Sequence, residues 1–271
     1  MGKKTYIAIV LDRSGSMKSC RDATLLGVNK QISTIRKDAK EPGNETFVSY
    51  YTFNAQVEPK YKCRPVNFLD DIAEYEIGGN TAIYDAMGTA ITDFDRETDV
   101  SSADNSYLIV FVSDGKEYPV GCSKKFTARQ IAKMVKDKQD TGRWTFTYMG
   151  ANQDLGKLQA ELGLYRGNIA NYASDMKGAA VAWENNSRQL GNYLKLRKRG
   201  TTALKSFHTN DEGAIADYTK VDMNAIARDF DHTKLILEKA KPGETADLDT
   251  ILKLRPEKDE LPKSIFQRTQ G

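Results

Sequence analysis

Residues 5–16 read Thr-Tyr-Ile-Ala-Ile-Val-Leu-Asp-Arg-Ser-Gly-Ser, and they decide the fold class. Both alternating sets of side chains in residues 5–11 are apolar, which is typical of a strand buried on both faces of a parallel sheet. The strand ends on the carboxylate of Asp12, and the hydroxyls of Ser14 and Ser16 follow at a spacing of two. In extended or turning backbone every second side chain lies on the same side, so these three groups can converge on one point. Carboxylate and hydroxyl oxygens are the donors that a small hard cation such as Mg²⁺ prefers.

A second fully apolar strand ends in the same way. Residues 106–113 read Ser-Tyr-Leu-Ile-Val-Phe-Val-Ser, and Asp114 and Gly115 follow. In doubly wound sheets, ligands bind beyond the carboxyl ends of the strands, where the strand order reverses. The two most apolar strands belong at that reversal. We therefore predict that they are neighbours and that Asp12 and Asp114 emerge at the same end of the sheet.

Extended and helical patterns alternate along residues 3–200, which predicts a doubly wound α/β sheet with right-handed crossovers. Further strands are predicted over Thr46–Phe53, Val57–Lys62 (an edge strand), Arg143–Met149 and Asn168–Ala173. Helices are predicted over 25–39, 81–94, 124–140, Gln153–Leu162 and Asp175–Lys198, with a short helix and a loop in 67–77.

The third polar element is Gly78-Gly79-Asn80-Thr81, which precedes the helix through Ile83 and Phe94. Thr81 occupies the position expected of a helix N-cap. Two glycines before the cap indicate that the backbone approaches another group closely. The N-terminus of this helix can then face Asp12 and Asp114.

These three elements, in this order, resemble the metal-ion-dependent adhesion site of von Willebrand factor A (vWA) domains. The matching motifs are Asp12-x-Ser14-x-Ser16, Gly78-Gly79-x-Thr81 and Ser113-Asp114-Gly115, and the resemblance covers about residues 3–198. The segment Gly150–Asp154, after the fifth strand, is similar to what small bacterial and phage members of the family show there.

The resemblance implies a mostly parallel, six-stranded sheet in the order 3-2-1-4-5-6, with helices on both faces and a short antiparallel strand at one edge. It also implies a bound Mg²⁺ (or Mn²⁺ or Ca²⁺), and the metal ligands would be Asp12, Ser14, Ser16, Thr81 and Asp114. One coordination position would stay open for an Asp or Glu carboxylate of a protein partner. The expected function is thus a non-enzymatic, metal-dependent protein–protein interaction module.

Two alternatives remain open at this stage. A metal-dependent hydrolase or phosphoryl-transfer enzyme would need a base or a second metal near the site, but His208 and His232, the only two histidines, both lie beyond the predicted sheet. A nucleic-acid-binding protein could use the basic cluster Lys195–Arg199. Cations at the end of a helix also complement its dipole, and that structural explanation is the stronger one.

The bulk composition places the chain among soluble globular proteins. The chain has 271 residues, a formal net charge of +3 and three cysteines. No apolar run approaches the roughly 18 residues of a membrane span. The cysteines form no metal-type pair, which favours a reduced, cytoplasmic protein.

We predict three parts: a vWA-like metal-binding domain over residues 1–200, a small extension over 201–255 and a polar tail over 256–271. The extension is expected to pack on the domain or on a partner. A further hypothesis is that it supports self-association, with its acidic residues reaching the metal site of a neighbouring molecule.

Overall fold

The computed structural model describes residues 3–40, 44–209 and 211–221. The strands are β1 (Lys3–Asp12), β2 (Asn44–Phe53), β3 (Val57–Pro65), β4 (Asn105–Ser113), β5 (Trp144–Gly150), β6 (Ile169–Asn171) and β7 (Ala216–Asp217). The helices are α1 (Arg21–Asp38), α2 (Ile83–Glu97), α3 (Ala128–Asp140), α4 (Leu155–Leu162) and α5 (Met176–Lys198).

The strands form one sheet in the order β3-β2-β1-β4-β5-β6-β7. Neighbouring strands are parallel throughout, except that β3 is antiparallel to β2 at one edge. The predicted fold class is confirmed, including the order of the first six strands. The sheet has one strand more than predicted, because Ala216–Asp217 adds β7 beside β6.

β1 and β4 lie at the centre, paired in parallel from Lys4 opposite Asn105 to Leu11 opposite Val112. The two alternating sets of apolar side chains in β1 lie on opposite faces of the sheet, as predicted. Ile7, Ile9 and Leu11 pack under α1 and α5, whereas the other set packs under α2, α3 and α4. Both faces of the sheet are therefore covered by helices, which is why the central strands carry no polar face.

The packing of α5 against α1 is tight enough to require a glycine. A Cβ atom added at Gly27 of α1 would lie 2.1 Å from Cγ of Trp183 in α5. The indole of Trp183 is buried and occupies the space that any side chain at position 27 would need. The close approach of these two helices thus depends on the absence of a side chain at this point.

Two predicted helices differ from the structure. The helix predicted from residue 124 begins at Ala128, because Thr127 and Gln130 form a capping box that fixes its first turn. In 67–77 there is only a 3₁₀ turn, Val66–Phe68, followed by a loop.

The segment after α5 packs on the sheet over residues 201–209 and 211–221. Asn168 anchors it: the side-chain amide donates to the carbonyl oxygen of Leu204 (2.8 Å) and accepts from the backbone N–H of Phe207 (2.8 Å). His208 is buried beside Phe207 and Tyr218. The rest of the predicted extension, the predicted tail and His232 lie outside the described residues.

Half of the basic side chains at the end of α5 are engaged in the fold. The guanidinium of Arg197 is buried and donates to the backbone carbonyls of Lys4 and Asp104. The ammonium of Lys198 lies 2.7 Å from the carboxylate of Asp38. Two of the five residues in 195–199 therefore tie α5 to neighbouring segments rather than forming an open cationic surface.

Candidate metal centre

Polar residues from three loops meet at the carboxyl edge of the sheet. Asp12 ends β1, and Asp114 directly follows β4, which is the parallel neighbour of β1. The side chains of Asp12, Ser14 and Asp114 are at most 1% exposed, and Thr81 is 5% exposed. Ser16 is exposed to solvent. The site is therefore a buried polar floor that opens to solvent beside Ser16.

Four of the five predicted ligands are linked by short hydrogen bonds. The backbone N–H of Ser14 donates to Oδ1 of Asp12 (2.7 Å). The hydroxyl oxygens of Ser14 and Ser16 are 3.1 Å apart, and the Ser16 hydroxyl donates to Oδ1 of Asp114 (2.6 Å). A chain of hydrogen bonds thus connects Asp12, through Ser14 and Ser16, to Asp114, which is 98 residues away from Ser16 in sequence.

Thr81 is the fifth predicted ligand, and the loop that carries it is hydrogen-bonded to the loop after β1 and to the loop after β4. The N–H of Gly15 donates to the carbonyl oxygen of Gly79 (3.1 Å). Thr81 and Tyr118 exchange two backbone hydrogen bonds, of 2.7 and 3.0 Å. Gly79 has φ +85°, a left-handed conformation that favours glycine. The backbone contacts therefore place Thr81 between the loop after β1 and the loop after β4.

The prediction that Thr81 caps α2 is wrong. The N-cap position is Ala82, and no side chain of that residue caps the helix. Instead, the backbone N–H of Ile83 donates to Oε2 of Glu117 (2.8 Å), a carboxylate 34 residues further along the chain. A carboxylate brought in by the fold replaces the local hydroxyl, because a negative charge interacts favourably with the helix N-terminus.

Burial raises the pKa of both carboxyl groups at the site. The pKa of Asp12 is raised to about 6, chiefly because burial penalises the charged form, although hydrogen bonds from Ser113 and Ser14 oppose this. Burial also raises the pKa of Asp114. Arg13, the cation next to Asp12 in sequence, lies 3.7 Å from the carboxylate of Glu58 instead. Two buried carboxylates without a contacting cation are electrostatically unfavourable, and a bound cation would relieve this.

The donors present fit a small divalent cation. Oδ2 of Asp114 is buried and has no hydrogen-bond partner among the described residues. Such an orphaned acceptor is costly unless a ligand uses it. The set combines two carboxylates with three hydroxyls, which is an all-oxygen set suited to Mg²⁺. Within the described ranges, no three or more His, Cys, Asp and Glu side chains are grouped so that they could hold a metal ion, so the candidate centre has to include its hydroxyls as ligands.

The sequence did not reveal which residues support Asp12, although Ser113 is part of a matching motif. The hydroxyl of Ser113 donates to Oδ2 of Asp12 (2.6 Å). The hydroxyl of Tyr75, from the loop after β3, donates to the backbone carbonyl of Asp12. Ser113 was visible as the last residue of a strand before Asp114. Tyr75 gave no sequence signal, because its role depends on how an irregular loop returns to the site.

Comparisons with known proteins identify the fold. The architecture matches that of the pilus adhesin SpaC from Lactobacillus rhamnosus GG, with a TM-score of 0.51 and 12% identity over 71% of this chain and 31% of that one. A von Willebrand factor type A protein from Catenulispora acidiphila aligns with a TM-score of 0.48 and 12% identity, over 70% of this chain and 43% of that one. The chain has a vWA-like fold.

A third solved structure aligns with a similar share of the chain. The ArnB paralog VWA2 from Sulfolobus acidocaldarius is 18% identical, with a TM-score of 0.41, over 68% of this chain and 45% of that one. The vWA-like chain spans less than half the length of these three structures. No protein-family model matches the sequence, and no curated protein matches it. Among the described helices, none has the length and apolar character needed to cross a membrane.

Proposed function

We propose that this chain is a non-enzymatic, metal-dependent protein-binding module. The observation that carries the proposal is the buried Oδ2 of Asp114, which has no hydrogen-bond partner among the described residues although Oδ1 of the same carboxylate accepts from Ser16. A closed structural network would satisfy this oxygen internally, whereas a cation site leaves it available. The shared fold with the pilus adhesin SpaC is consistent with an interaction role.

Each residue of the site has a distinct part in the proposal. Asp12, Ser14, Ser16, Thr81 and Asp114 would hold a Mg²⁺ ion, with Mn²⁺ or Ca²⁺ as substitutes. Bound Mg²⁺ supplies a positive charge that an incoming carboxylate can neutralise. Because only two of the five ligands are carboxylates, the ion would stay more electrophilic than one surrounded by carboxylates, and its open position could accept an Asp or Glu of a partner. Ser113 and Tyr75 orient Asp12 through the hydrogen bonds described above.

The enzymatic alternative receives no specific support from the site. Hydrolysis or phosphoryl transfer would need a positioned base near the metal. His208, the histidine within the described residues, is buried among Phe207 and Tyr218 in the segment after α5. A test with generic phosphoesters and peptides still distinguishes the two functions, because any turnover lost in Asp12→Ala would favour the enzyme.

Metal binding is tested directly by calorimetry. Mg²⁺ is titrated into the full-length protein, into Ser14→Ala and into Ser101→Ala. Ser14→Ala removes one proposed ligand oxygen and is expected to weaken Mg²⁺ binding at least ten-fold, or about 1.4 kcal/mol. Ser101 is the matched control, since its hydroxyl donates to Asp99, in the α2–β4 connection. Equal Mg²⁺ affinity in Ser14→Ala and the wild type would refute the proposed site.

Partner recognition is tested by affinity capture in three conditions. The three conditions are the full-length protein in Mg²⁺, the full-length protein in chelator, and the Asp12→Ala variant in Mg²⁺. We expect a set of bound proteins that appears only in the first condition. The same bound set in all three would contradict metal-dependent recognition. Size measurement with and without chelator tests self-association through the extension in the same way, with Ser14→Ala as the control.

The proposed setting is a reduced, cytoplasmic one. All three cysteines, Cys20, Cys63 and Cys122, are free thiols in the structure. Cys20 and Cys122 are both buried, and burial raises the pKa of the Cys20 thiol to about 12. A buried thiol with a raised pKa is chemically inert, which agrees with a packing role.

A further inference from the structure

Two large apolar side chains project into solvent beside the candidate metal centre. Within the described residues, the large hydrophobic side chains that are strongly exposed are Tyr118 (63%), Val120 (96%) and Phe68 (70%). Tyr118 and Val120 belong to the loop after β4, four and six residues beyond Asp114. Phe68 lies just after β3. Because the end of β3 pairs with the start of β2, Phe68 lies near the amino ends of the parallel strands, opposite the metal centre. Exposed apolar groups next to a polar site indicate a contact surface.

The position of Tyr118 relative to the site is fixed by backbone pairing. Tyr118 and Thr81 donate to each other's carbonyl oxygens, as in a hydrogen-bonded antiparallel pair. In such a pair the two Cα atoms lie about 5.5 Å apart. Tyr118 is therefore the immediate neighbour of a proposed metal ligand. If the carboxylate of a peptide reached the metal, the peptide residues one or two positions from that carboxylate would lie near Tyr118.

Buried carboxylates hold this loop in place. Glu117 accepts hydrogen bonds from the backbone of Ile83 (2.8 Å) and from the backbone and hydroxyl of Ser123 (2.5 and 3.0 Å). Asp85, in the first turn of α2, accepts from the backbone N–H groups of three consecutive residues at 2.8–2.9 Å: Lys124, Lys125 and Phe126. The exposed residues between these anchors are thus presented by a rigid frame. Pre-organisation of this kind lowers the entropic cost of binding.

The loop after β4 carries three exposed lysines. Lys116, Lys124 and Lys125 are exposed and flank the apolar pair in sequence, and Lys18 is exposed two residues after Ser16. This charge complements an acidic segment. The apolar part consists of two side chains only, which is far smaller than the roughly 800 Å² per partner that a stable dimer buries. The surface thus suits a short peptide segment better than a second folded copy.

We propose that Tyr118 and Val120 form the apolar half of a composite peptide site whose polar half is the metal centre. This inference rests on the proposed function. The occupant is an extended acidic segment of another protein, with a large apolar side chain within one or two residues of the carboxylate. The metal centre would bind the carboxylate. Tyr118 and Val120 would contact the neighbouring apolar side chain, so acidic segments that carry one would bind more tightly than those that do not.

The test uses immobilised, end-capped peptides of the form Gly-Ser-Xaa-Asp-Xaa-Ser-Gly. Xaa is Leu in one set and Ser in the other, and a third set carries Asn in place of Asp. Binding of the full-length protein is measured in Mg²⁺ and in EDTA. We expect the Leu peptide to retain about ten-fold more protein than the Ser peptide in Mg²⁺, since it adds apolar burial.

Two variants test whether the loop after β4 is responsible for the preference for the Leu peptide. The double variant Tyr118→Ser with Val120→Ser is expected to bind Mg²⁺ normally by calorimetry and to lose the preference for Leu. Phe68→Ser, which removes a comparably exposed aromatic ring at the opposite edge, is the control and should keep the preference. Equal retention of Leu and Ser peptides, or a Leu preference that survives in the double variant, would overturn this inference.

Two further outcomes separate this inference from the proposed function. Equal retention of all peptides in Mg²⁺ and EDTA would refute the proposed function itself. Equal retention of the Leu and Ser peptides by the wild type, with Mg²⁺- and Asp-dependent retention intact, refutes only the role of Tyr118 and Val120. If the double variant instead converts a dimer to a monomer in a size measurement, a second copy is the occupant and the peptide proposal is wrong.

Discussion

Acidification is expected to destabilise the protein through one buried imidazole, that of His208. Nδ1 of His208 lies 2.9 Å from the hydroxyl oxygen of Tyr218, and Nε2 is buried with no partner among the described residues. Burial lowers the pKa of His208 to about 3. In the unfolded chain the pKa returns to about 6.5. The imidazole therefore remains neutral in the folded state at pH values where the unfolded chain would protonate it.

Proton linkage gives the sign and size of the effect of pH on the free energy of unfolding. Between pH 6.5 and 3 the unfolded state binds a proton that the folded state does not, so the free energy of unfolding falls as the pH falls. Above pH 6.5 both states are neutral and the contribution vanishes. One pKa unit corresponds to 1.36 kcal/mol, so the loss is about 1 kcal/mol at pH 5.5 and about 3 kcal/mol at pH 4.5.

Urea unfolding of the full-length protein at pH 7.5, 6.5, 5.5 and 4.5 measures this effect. Carboxylates also titrate in this range, so the informative quantity is the difference in unfolding free energy between the wild type and His208→Asn. Asn keeps a polar group near Tyr218 but cannot titrate, and the difference should shift by about 3 kcal/mol between pH 7.5 and 4.5. His232→Asn, the other histidine of the chain, is the control. A difference that does not change with pH would refute the reasoning.

Three further predictions concern the site and the packing. Saturating Mg²⁺ at about one hundred times its dissociation constant should stabilise the wild type by about 2.7 kcal/mol in thermal or urea unfolding, and Ser14→Ala, with at least ten-fold weaker binding, should lose about half of this gain or more at the same Mg²⁺ concentration. No change in stability on adding Mg²⁺ would count against a metal centre. Gly27→Ala forces a Cβ into Trp183 and should cost about 1–3 kcal/mol or more in urea unfolding. Gly191→Ala in α5, where the nearest atom is 3.8 Å away, should stabilise by up to about 1 kcal/mol, and equal effects of the two variants would contradict the packing argument. Glu117→Gln removes the charge at the start of α2 and should lower thermal stability by about 0.3–2 kcal/mol, whereas an unchanged melting temperature would show that this carboxylate does not stabilise the helix.

Much of the site could be predicted because parallel strands align their carboxyl ends. The prediction that β1 and β4 are neighbours is confirmed, and it alone brings Asp12 and Asp114 to one edge. The capping role of Thr81 was predicted wrongly, since local sequence could not reveal that Glu117 reaches the same helix. The support of Asp12 by Tyr75 was equally invisible, because hydrogen bonds from an irregular loop carry no periodic signal.

The sequence by itself determined the α/β class, the central position of the two apolar strands and the placement of polar residues at their ends. These features are local, since apolar alternation and strand-end chemistry are written within a few consecutive residues. Only the tertiary structure decided that Ser16 contacts Asp114, that one oxygen of Asp114 has no partner among the residues the structure describes, and that β7 joins the sheet. It alone also showed that Tyr118, the backbone partner of Thr81, is exposed together with Val120 of the same loop. Those facts depend on contacts between residues far apart in the chain, where packing and the burial of charge, rather than local propensity, set the geometry.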